Sequence, residues 1–309
     1  MHDRTIRRVR SFNRAVAESI GALGDRFLGR TRPMGESRLL WEIGPDGSEV
    51  RALRARLGLD SGYVSRVLRS LERQGLAKVR TSRGDRRVRG AYLTKKGLRE
   101  RAELDRRSDA VTRRILEPLS ESQRETIAAA MTQVEQLLQA CMVTFAIERP
   151  TTEDARWCIG QYFADLASRF EGGFDPARSI SADASELTPP AGLLLVARLR
   201  GKPVGCGALK FHDDASAELK RMWIAPNVRG VGLGRRLLRE LEQQARSAGV
   251  SVLRLETNRV LTEAISLYRR SGYVEVPAFN DEPYAHHWFE KRFAAPTLAV
   301  PRGPRRRRS

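Results

Sequence analysis

The chain has 309 residues and a formal net charge of +19, a length that accommodates about two domains with separate cores. Residues 1–145 carry +12 and residues 146–309 carry +7, of which five charges are Arg302 and Arg305 to Arg308. A polyanion partner is therefore expected for the first half alone, nucleic acid ahead of a membrane surface, with counterion release driving association.

Three cysteines, Cys141, Cys158 and Cys206, and four histidines make neither a metal-ligand spacing nor an even disulfide set, which suits a reducing cytosol and no metal. The longest apolar runs, near 142–147 and 192–197, fall far below the roughly 18 residues of a membrane span. The first ten residues are too charged for a signal peptide. A cytoplasmic chain without a membrane partner is expected.

In chain order, Ile6, Val9, Phe12, Val16, Ile20, Leu23 and Phe27 recur at spacings of three and four and predict a long amphipathic helix. Ile127, Met131, Val134, Leu138 and Cys141 repeat the pattern later. Two such helices bracketing a small domain suit a homodimer interface, with ordinary core helices as the alternative. Between them, Val50, Leu53 and Leu57 form a short apolar face and Gly58 suits a turn. Asp60 or Ser61 can cap a second helix bearing Val64, Val67, Leu68 and Leu71. This is a helix-turn-helix. Ser61, Gly62, Ser65, Arg66, Arg69 and Arg73, with Tyr63 beside them, are small or basic residues suited to a major groove of double-stranded DNA. Two short strands around Leu76 to Val79 and Ala91 to Leu93 then flank a turn containing Arg83, Arg86 and Arg87. Such a wing can place arginine in a minor groove, a solvated basic loop being the alternative.

Residues 1–142 thus resemble a MarR-type winged helix-turn-helix regulator, on the long first helix, Leu71-Glu72-Arg73-Gln74-Gly75-Leu76, Asp85-Arg86-Arg87, and Leu93-Thr94 followed by Gly97. The resemblance implies a homodimer on a palindromic site, with Asp85 bracing the wing and Arg87 entering DNA. It also implies an effector near the dimer helices, which no residue identifies.

Phe145 to Pro150 predicts a strand, and Thr151 with Asp154 a helix start, followed by a stripe of Ala155, Ile159, Phe163, Leu166 and Phe170. A weak helix is expected near 177–187. Three strands follow, Leu193 to Leu199, Val204 to Phe211 and Ala217 to Ile224, joined by Gly201-Lys202-Pro203 and His212-Asp213-Asp214. The third runs into Arg229-Gly230-Val231-Gly232-Leu233-Gly234 and a helix with Leu237, Leu238, Leu241 and Ala245. A strand, a glycine-rich turn and a helix N-terminus gather free backbone N–H groups into an anion site. The glycine spacing fits neither the dinucleotide fingerprint nor a P-loop, and a ligand-free turn is the alternative.

Met222-Trp223-Ile224-Ala225-Pro226 followed by Arg229-x-x-Gly232-x-Gly234, then Val252 to Asn258, Ala264 to Tyr268 and Gly272-Tyr273, resemble the GNAT acetyltransferases over 143–293. The expected fold is a mainly α winged helix-turn-helix followed by an α/β GNAT fold with a mixed, mostly antiparallel sheet. Residues 294–309 are expected to be a disordered basic tail.

The resemblance implies acetyl-CoA as donor, held by Met222, Trp223, Ile224 and residues Arg229, Gly230, Val231, Gly232, Leu233, Gly234 and Arg235, with Asn258 on the pantetheine arm. An acceptor amine must lose a proton before attack. Glu218 is the candidate base, because many members place one on this strand, and a surface glutamate is its alternative. Tyr268 is the implied acid for the departing thiolate, and backbone N–H groups near Met222 to Ile224 stabilise the oxyanion. Residues 277–289 can line an acceptor pocket, Trp288 and Phe289 fitting a core equally well. Glu171, Asp281 or Glu282 can attract a cation, while His286 and His287 suit ordinary hydrogen bonds. The expected function is a DNA-binding regulator fused to an acetyltransferase of a small amine or amino acid. The alternatives are a non-catalytic acetyl-CoA sensor and a protein lysine acetyltransferase.

Overall fold

A computed structural model describes residues 3–19, 28, 32–81, 88–180 and 182–293. The chain divides into two compact units, Met1–Gln133 and Val134–Ser309, and each is built around its own apolar cluster.

The first unit begins with α1 (Asp3–Ser19), which buries none of its side chains within the chain; Ile20, Leu23 and Phe27 of the expected stripe lie outside the described residues. Helices α2 (Met34–Ile43), α3 (Val50–Leu57) and α4 (Ser61–Arg73) enclose Leu39, Leu40, Ile43, Leu53, Val64, Val67, Leu68 and Leu71. The turn between α3 and α4 forms because Gly58 takes φ +63°, a left-handed conformation that favours glycine. Asp60 supplies the cap of α4 by accepting from the Tyr63 backbone N–H at 2.9 Å, worth about 1 kcal/mol. Strands β1 (Ser48–Glu49), β2 (Ala77–Thr81) and β3 (Arg89–Leu93) form an antiparallel sheet of order β1-β3-β2. Helix α5 (Lys95–Leu116) follows, capped by the Thr94 hydroxyl, and α6 (Glu121–Cys141) runs on into the second unit. The division falls inside α6 because its last turn already belongs to the second unit: Arg236 donates to the carbonyls of Ala140 and Val143, the latter at 3.0 Å.

The second unit carries a seven-stranded sheet of order β4-β5-β6-β7-β8-β10-β9. Its strands are β4 (Thr144–Glu148), β5 (Gly192–Leu199), β6 (Lys202–Phe211), β7 (Ser216–Ile224), β8 (Val252–Thr257), β9 (Val274–Val276) and β10 (His287–Arg292). All pairs are antiparallel except β7 with β8. Helices α7 (Glu153–Arg169), α8 (Leu233–Ser247) and α9 (Thr262–Arg270) bury Cys158 and Leu166, Leu237 and Leu241, and Ile265 and Tyr268 respectively. The cap of α7 is Thr152, accepting from Ala155, one residue beyond the expected Thr151. The helix expected near 177–187 is only a short 3-10 turn, Pro176–Arg178, and the described residues from 184 to 190 are turns and bends ahead of β5. Among the described residues, no helix is long and apolar enough to cross a membrane.

Candidate active site and DNA-facing helix

Strands β7 and β8 pair only through Ser216, Ala217 and Glu218, opposite Val252, Leu253 and Arg254. Beyond that point the ladder stops. On the other edge of β7 the register with β6 shifts between Cys206 and Ala208, and Arg221 adopts φ +52°. A bulge of this kind bends the strand, and here it turns the end of β7 away from β8. Past Glu218 this edge of β7 has no ladder partner in β8, so its outward main-chain groups are not consumed by a parallel ladder, and the Ile224 carbonyl accepts from Arg229 instead.

Met222 and Tyr268 meet at the base of this opening, where the Tyr268 hydroxyl donates to the Met222 Sδ at 3.8 Å. Tyr268 is buried, and its ring packs edge-on against Tyr273 and tilted against Phe289. Burial raises its phenol well above the ordinary value, with the nearby Glu256 carboxylate adding to the effect. The hydroxyl is thus held protonated. Trp223 points to the opposite face, buried edge-on against Trp157.

At the mouth of the opening lies the glycine loop. Gly230 and Gly232 take φ +82° and +83°, and a Cβ at either would meet nothing within 4 Å, so open space stands before the loop. No side chain caps the N-terminus of α8, whose N-cap is Gly232 itself. The first-turn N–H groups are therefore left for an anion. Arg235 stands exposed on this turn. Arg229 does not: its Nε donates to the Ile224 carbonyl at 2.8 Å and its Nη2 pairs with Asp165 at 2.9 Å. The Arg229 side chain braces the loop against β7 and α7. Asn258 is likewise engaged, donating to the Tyr284 carbonyl at 2.7 Å and accepting from the Val260 N–H at 3.1 Å. It ties the end of β8 to the segment before β10.

A cleft on the α7 side of the opening is walled by Tyr162, Phe170, Phe174 and Tyr284 and floored by Lys220 and Glu256. Glu218 does not line it. Its Oε1 bonds His212 Nε2 at 2.9 Å, its Oε2 pairs with Lys220 at 2.6 Å, and it borders a separate hollow with Asp214 and Arg254. Burial works to raise its carboxyl, but Lys220 and then His212 outweigh it and hold the group below the ordinary carboxylate range. Glu256 behaves oppositely. Burial raises its carboxyl despite a 2.5 Å contact with Lys220. Lys220 in turn stays charged because the two glutamates overcome its burial.

Sequence reasoning missed Lys220, Glu256 and Tyr162. The available signal was the two-residue spacing of Glu218 and Lys220, which puts both on one face of β7. Glu282, singled out by charge, is buried in the wall with its oxygens taken by Ser179, Ile180 and Tyr284. Glu171 and Asp281 are exposed. His287 bonds Glu275 at 2.6 Å, Phe289 is fully buried, and Trp288 donates to Asn280. Among the described residues, no group of three or more His, Cys, Asp or Glu side chains could hold a metal ion.

In the first unit, α4 presents Ser61, Gly62, Arg66 and Arg69 to solvent, with Ser65 half-buried. Arg69 donates back to the Ser65 carbonyl at 3.2 Å. Tyr63 turns the other way: its ring packs on the core and its hydroxyl lies over Gly35, where a Cβ would come within 2.0 Å of it. Arg83, Asp85, Arg86 and Arg87 lie outside the described residues.

The model of the acetyltransferase (GNAT) family matches residues 160–273, and that of the MarR family matches residues 28–88. An IAA acetyltransferase of Azospirillum brasilense is 40% identical over 144 residues, covering 46% of this chain and 90% of the relative. An uncharacterised N-acetyltransferase of Schizosaccharomyces pombe is 36% identical over 101 residues, 32% of this chain and 59% of the relative. The N-acetyltransferase PaiA of Thermoplasma acidophilum, solved with coenzyme A, matches at 18% identity and a TM-score of 0.38, covering 48% of this chain and 99% of that one.

Proposed function

Because the chain belongs to the acetyltransferase (GNAT) family over its second half and carries a MarR-family region ahead of it, we propose that it is a DNA-binding regulator fused to an N-acetyltransferase that moves the acetyl group of acetyl-CoA to a small amine. The observation that carries the enzymatic reading is the unpaired stretch between β7 and β8, with Tyr268 at its base and the uncapped glycine loop at its mouth. A thioester arm fits the former and a diphosphate the latter.

In this reading the backbone N–H groups of Gly230 to Gly234 and the Arg235 side chain take the diphosphate, while Arg229 and Asn258 fix the loops that frame the site. Acetyl-CoA supplies the thioester carbonyl that the amine attacks. Backbone N–H groups of Met222 to Ile224 receive the oxyanion, and donors fixed before the reaction lower its barrier most effectively. Tyr268, held protonated by burial, gives its proton to the departing sulfur. The first unit is proposed to bind double-stranded DNA as a homodimer in the cytoplasm. The exposed apolar residues Ile6, Val9 and Phe12 of α1 and Met131, Leu137 and Leu138 of α6 support the dimer, and Arg66 and Arg69 of α4 support the groove contact.

A thiol-release assay over a panel of amines and amino acids tests this, with IAA included because the Azospirillum relative is named for it. Release is expected with at least one acceptor. Tyr268→Phe should lower kcat by about 100-fold and leave acetyl-CoA affinity within a few fold. A second reading, acetyl-CoA sensing without turnover, draws on the bond from Arg236, in the first turns of α8, to the Ala140 carbonyl in the last turn of α6. Acetyl-CoA binding without release for any acceptor would favour it.

A further inference from the structure

Glu256 sits where β7 and β8 cease to pair, two residues beyond the last bridged position of β8. Its Oε1 accepts from Lys220 Nζ at 2.5 Å. Its Oε2 is buried, and among the described residues no protein group donates to it. Lys220 is only 8% exposed and is bonded on its other side to Glu218. Two carboxylates therefore share the Lys220 ammonium, Glu218 bonding His212 as well, while Glu256, which lines the cleft, has no second ion-pair partner among the described residues. A buried acceptor without a donor costs about 1–3 kcal/mol, and a buried charge left in excess costs more. A cationic donor entering the cleft relieves both.

The other groups facing Glu256 do not supply that donor. Lys220 and Arg221 come from β7, Tyr162 from α7, Tyr268 from α9 and Glu282 from the wall before β10. Lys220 is shared with Glu218, while Arg221 donates to the Ala182 carbonyl and lies over the Phe163 ring. Glu282 is acidic and supplies no cation. Above Glu256 the walls are aromatic: Tyr162, Phe170, Phe174 and Tyr284. Phe174 and Tyr284 lie 4.8 Å apart between ring centroids. Such a surface favours an apolar or aromatic body and attracts a cation to ring faces.

We propose that the acceptor is a primary amine on an aromatic or apolar body, bound as its ammonium ion at Glu256 Oε2, and that Glu256, rather than Glu218, takes its proton. The proposal rests on the acetyltransferase reading. The ammonium passes one proton to Glu256, and the freed nitrogen pair forms the N–C bond to the thioester carbon. As the C–S bond breaks, its electron pair leaves on sulfur, which takes the Tyr268 proton; the second nitrogen proton restores Tyr268. Ammonium and thioester thus give amide, thiol and one proton, which Glu256 returns to solvent. A carboxyl raised by burial is the better matched to this task, because a base whose affinity for protons approaches that of the medium transfers them most effectively.

Two measurements on the full chain test this. In the first, kcat/KM for benzylamine is followed across pH for wild type, Glu256→Gln and Glu218→Gln. Wild type should show an acidic limb above the ordinary carboxylate range. Glu256→Gln should lose that limb, fall about 100-fold near neutrality, and rise about tenfold per pH unit as free amine accumulates. Glu218→Gln should keep the limb. Glu256→Asp, which keeps the charge but withdraws it by one methylene, should keep the limb at a lower rate and guards against a folding defect. In the second, calorimetry compares benzylammonium with benzyl alcohol. Wild type should prefer the cation about tenfold, and Glu256→Gln should not. A limb that survives in Glu256→Gln, or vanishes in Glu218→Gln alone, overturns the proposal, as does an unchanged cation preference. Cation preference through Glu256 with no turnover of any acceptor would instead sink the transferase reading and leave the ammonium site standing.

Discussion

Burial acts on Tyr268 and Glu218 with opposite consequences. Among the described residues no cation offsets the burial of Tyr268, and burial, with Glu256 adding to it, keeps the phenol neutral. Glu218 is also largely enclosed, yet Lys220 and His212 hold it ionised. A carboxyl whose value is lowered on folding contributes stability that is fully present above the ordinary carboxylate range and is lost as pH falls through its lowered value. Glu218→Gln should therefore be less stable than wild type by about 1–2 kcal/mol at pH 7, with the gap closing in acid once pH has fallen through that lowered value. Urea unfolding at pH 7 and in acid measures it, and a gap that persists in acid would mean that Glu218 acts through packing rather than charge. Both residues were visible in the sequence, but their environments were not. Which charges surround a residue depends on its neighbours across the sheet, and Glu256, which adds to the shift of Tyr268 and shares Lys220 with Glu218, lies beyond an intervening helix.

Glycine positions link side-chain chemistry to whole elements. Gly97 opens α5, and a Cβ there would come within 1.9 Å of the Leu76 carbonyl oxygen. That carbonyl ends the α4 turn, accepting from the Thr94 N–H at 3.0 Å, while the Thr94 hydroxyl donates to the Gly75 carbonyl at 2.7 Å and caps α5. Backbone meets backbone, so a flexible side chain cannot absorb the clash. Gly97→Ala should destabilise the first unit by about 1–3 kcal/mol and weaken DNA binding with it, while leaving acetyl transfer unchanged. Separate melting of the two units, followed by calorimetry, would reveal it; a uniform loss in both would contradict the division into two cores. Elements with strong periodicity were legible in this way. The stripe of α4 follows from spacing of three and four, Gly58 marks the turn before it, and β5 to β7 follow from apolar runs separated by turn residues. The bulge opposite Arg221 and the premature end of the β7–β8 ladder leave no such period, yet they make the site. The capping of α7 slipped by one residue because Thr151 and Thr152 are chemically equivalent candidates, and only the backbone path selects between them.

At the scale of the whole molecule, charge separates two activities in one chain. The first 145 residues carry +12, and the body of the second half is close to neutral once the terminal arginines are set aside. Arg66 and Arg69 are exposed on α4, where counterion release would govern the proposed association with DNA. The proposed transfer site works through interactions that are short and enclosed, Lys220 being only 8% exposed between its two glutamates, and mobile ions screen such pairs weakly. Salt should therefore act on one activity and spare the other. Raising it from about 50 to 200 mM should weaken operator binding by roughly 10³- to 10⁵-fold for a dimer meeting six to ten phosphates, and change kcat/KM by less than about twofold. Fluorescence anisotropy of labelled duplex DNA and thiol release, run in the same buffers, give both numbers. Exchanging Arg66 for Gln should then reduce the salt slope by about one unit for each phosphate left unneutralised in either protomer, and leave the transfer rate where it was. A transfer rate that fell in parallel with DNA affinity would show that the acceptor site depends on the long-range field of the basic unit, and would remove the enclosed Glu218-Lys220-Glu256 cluster as the source of its electrostatics.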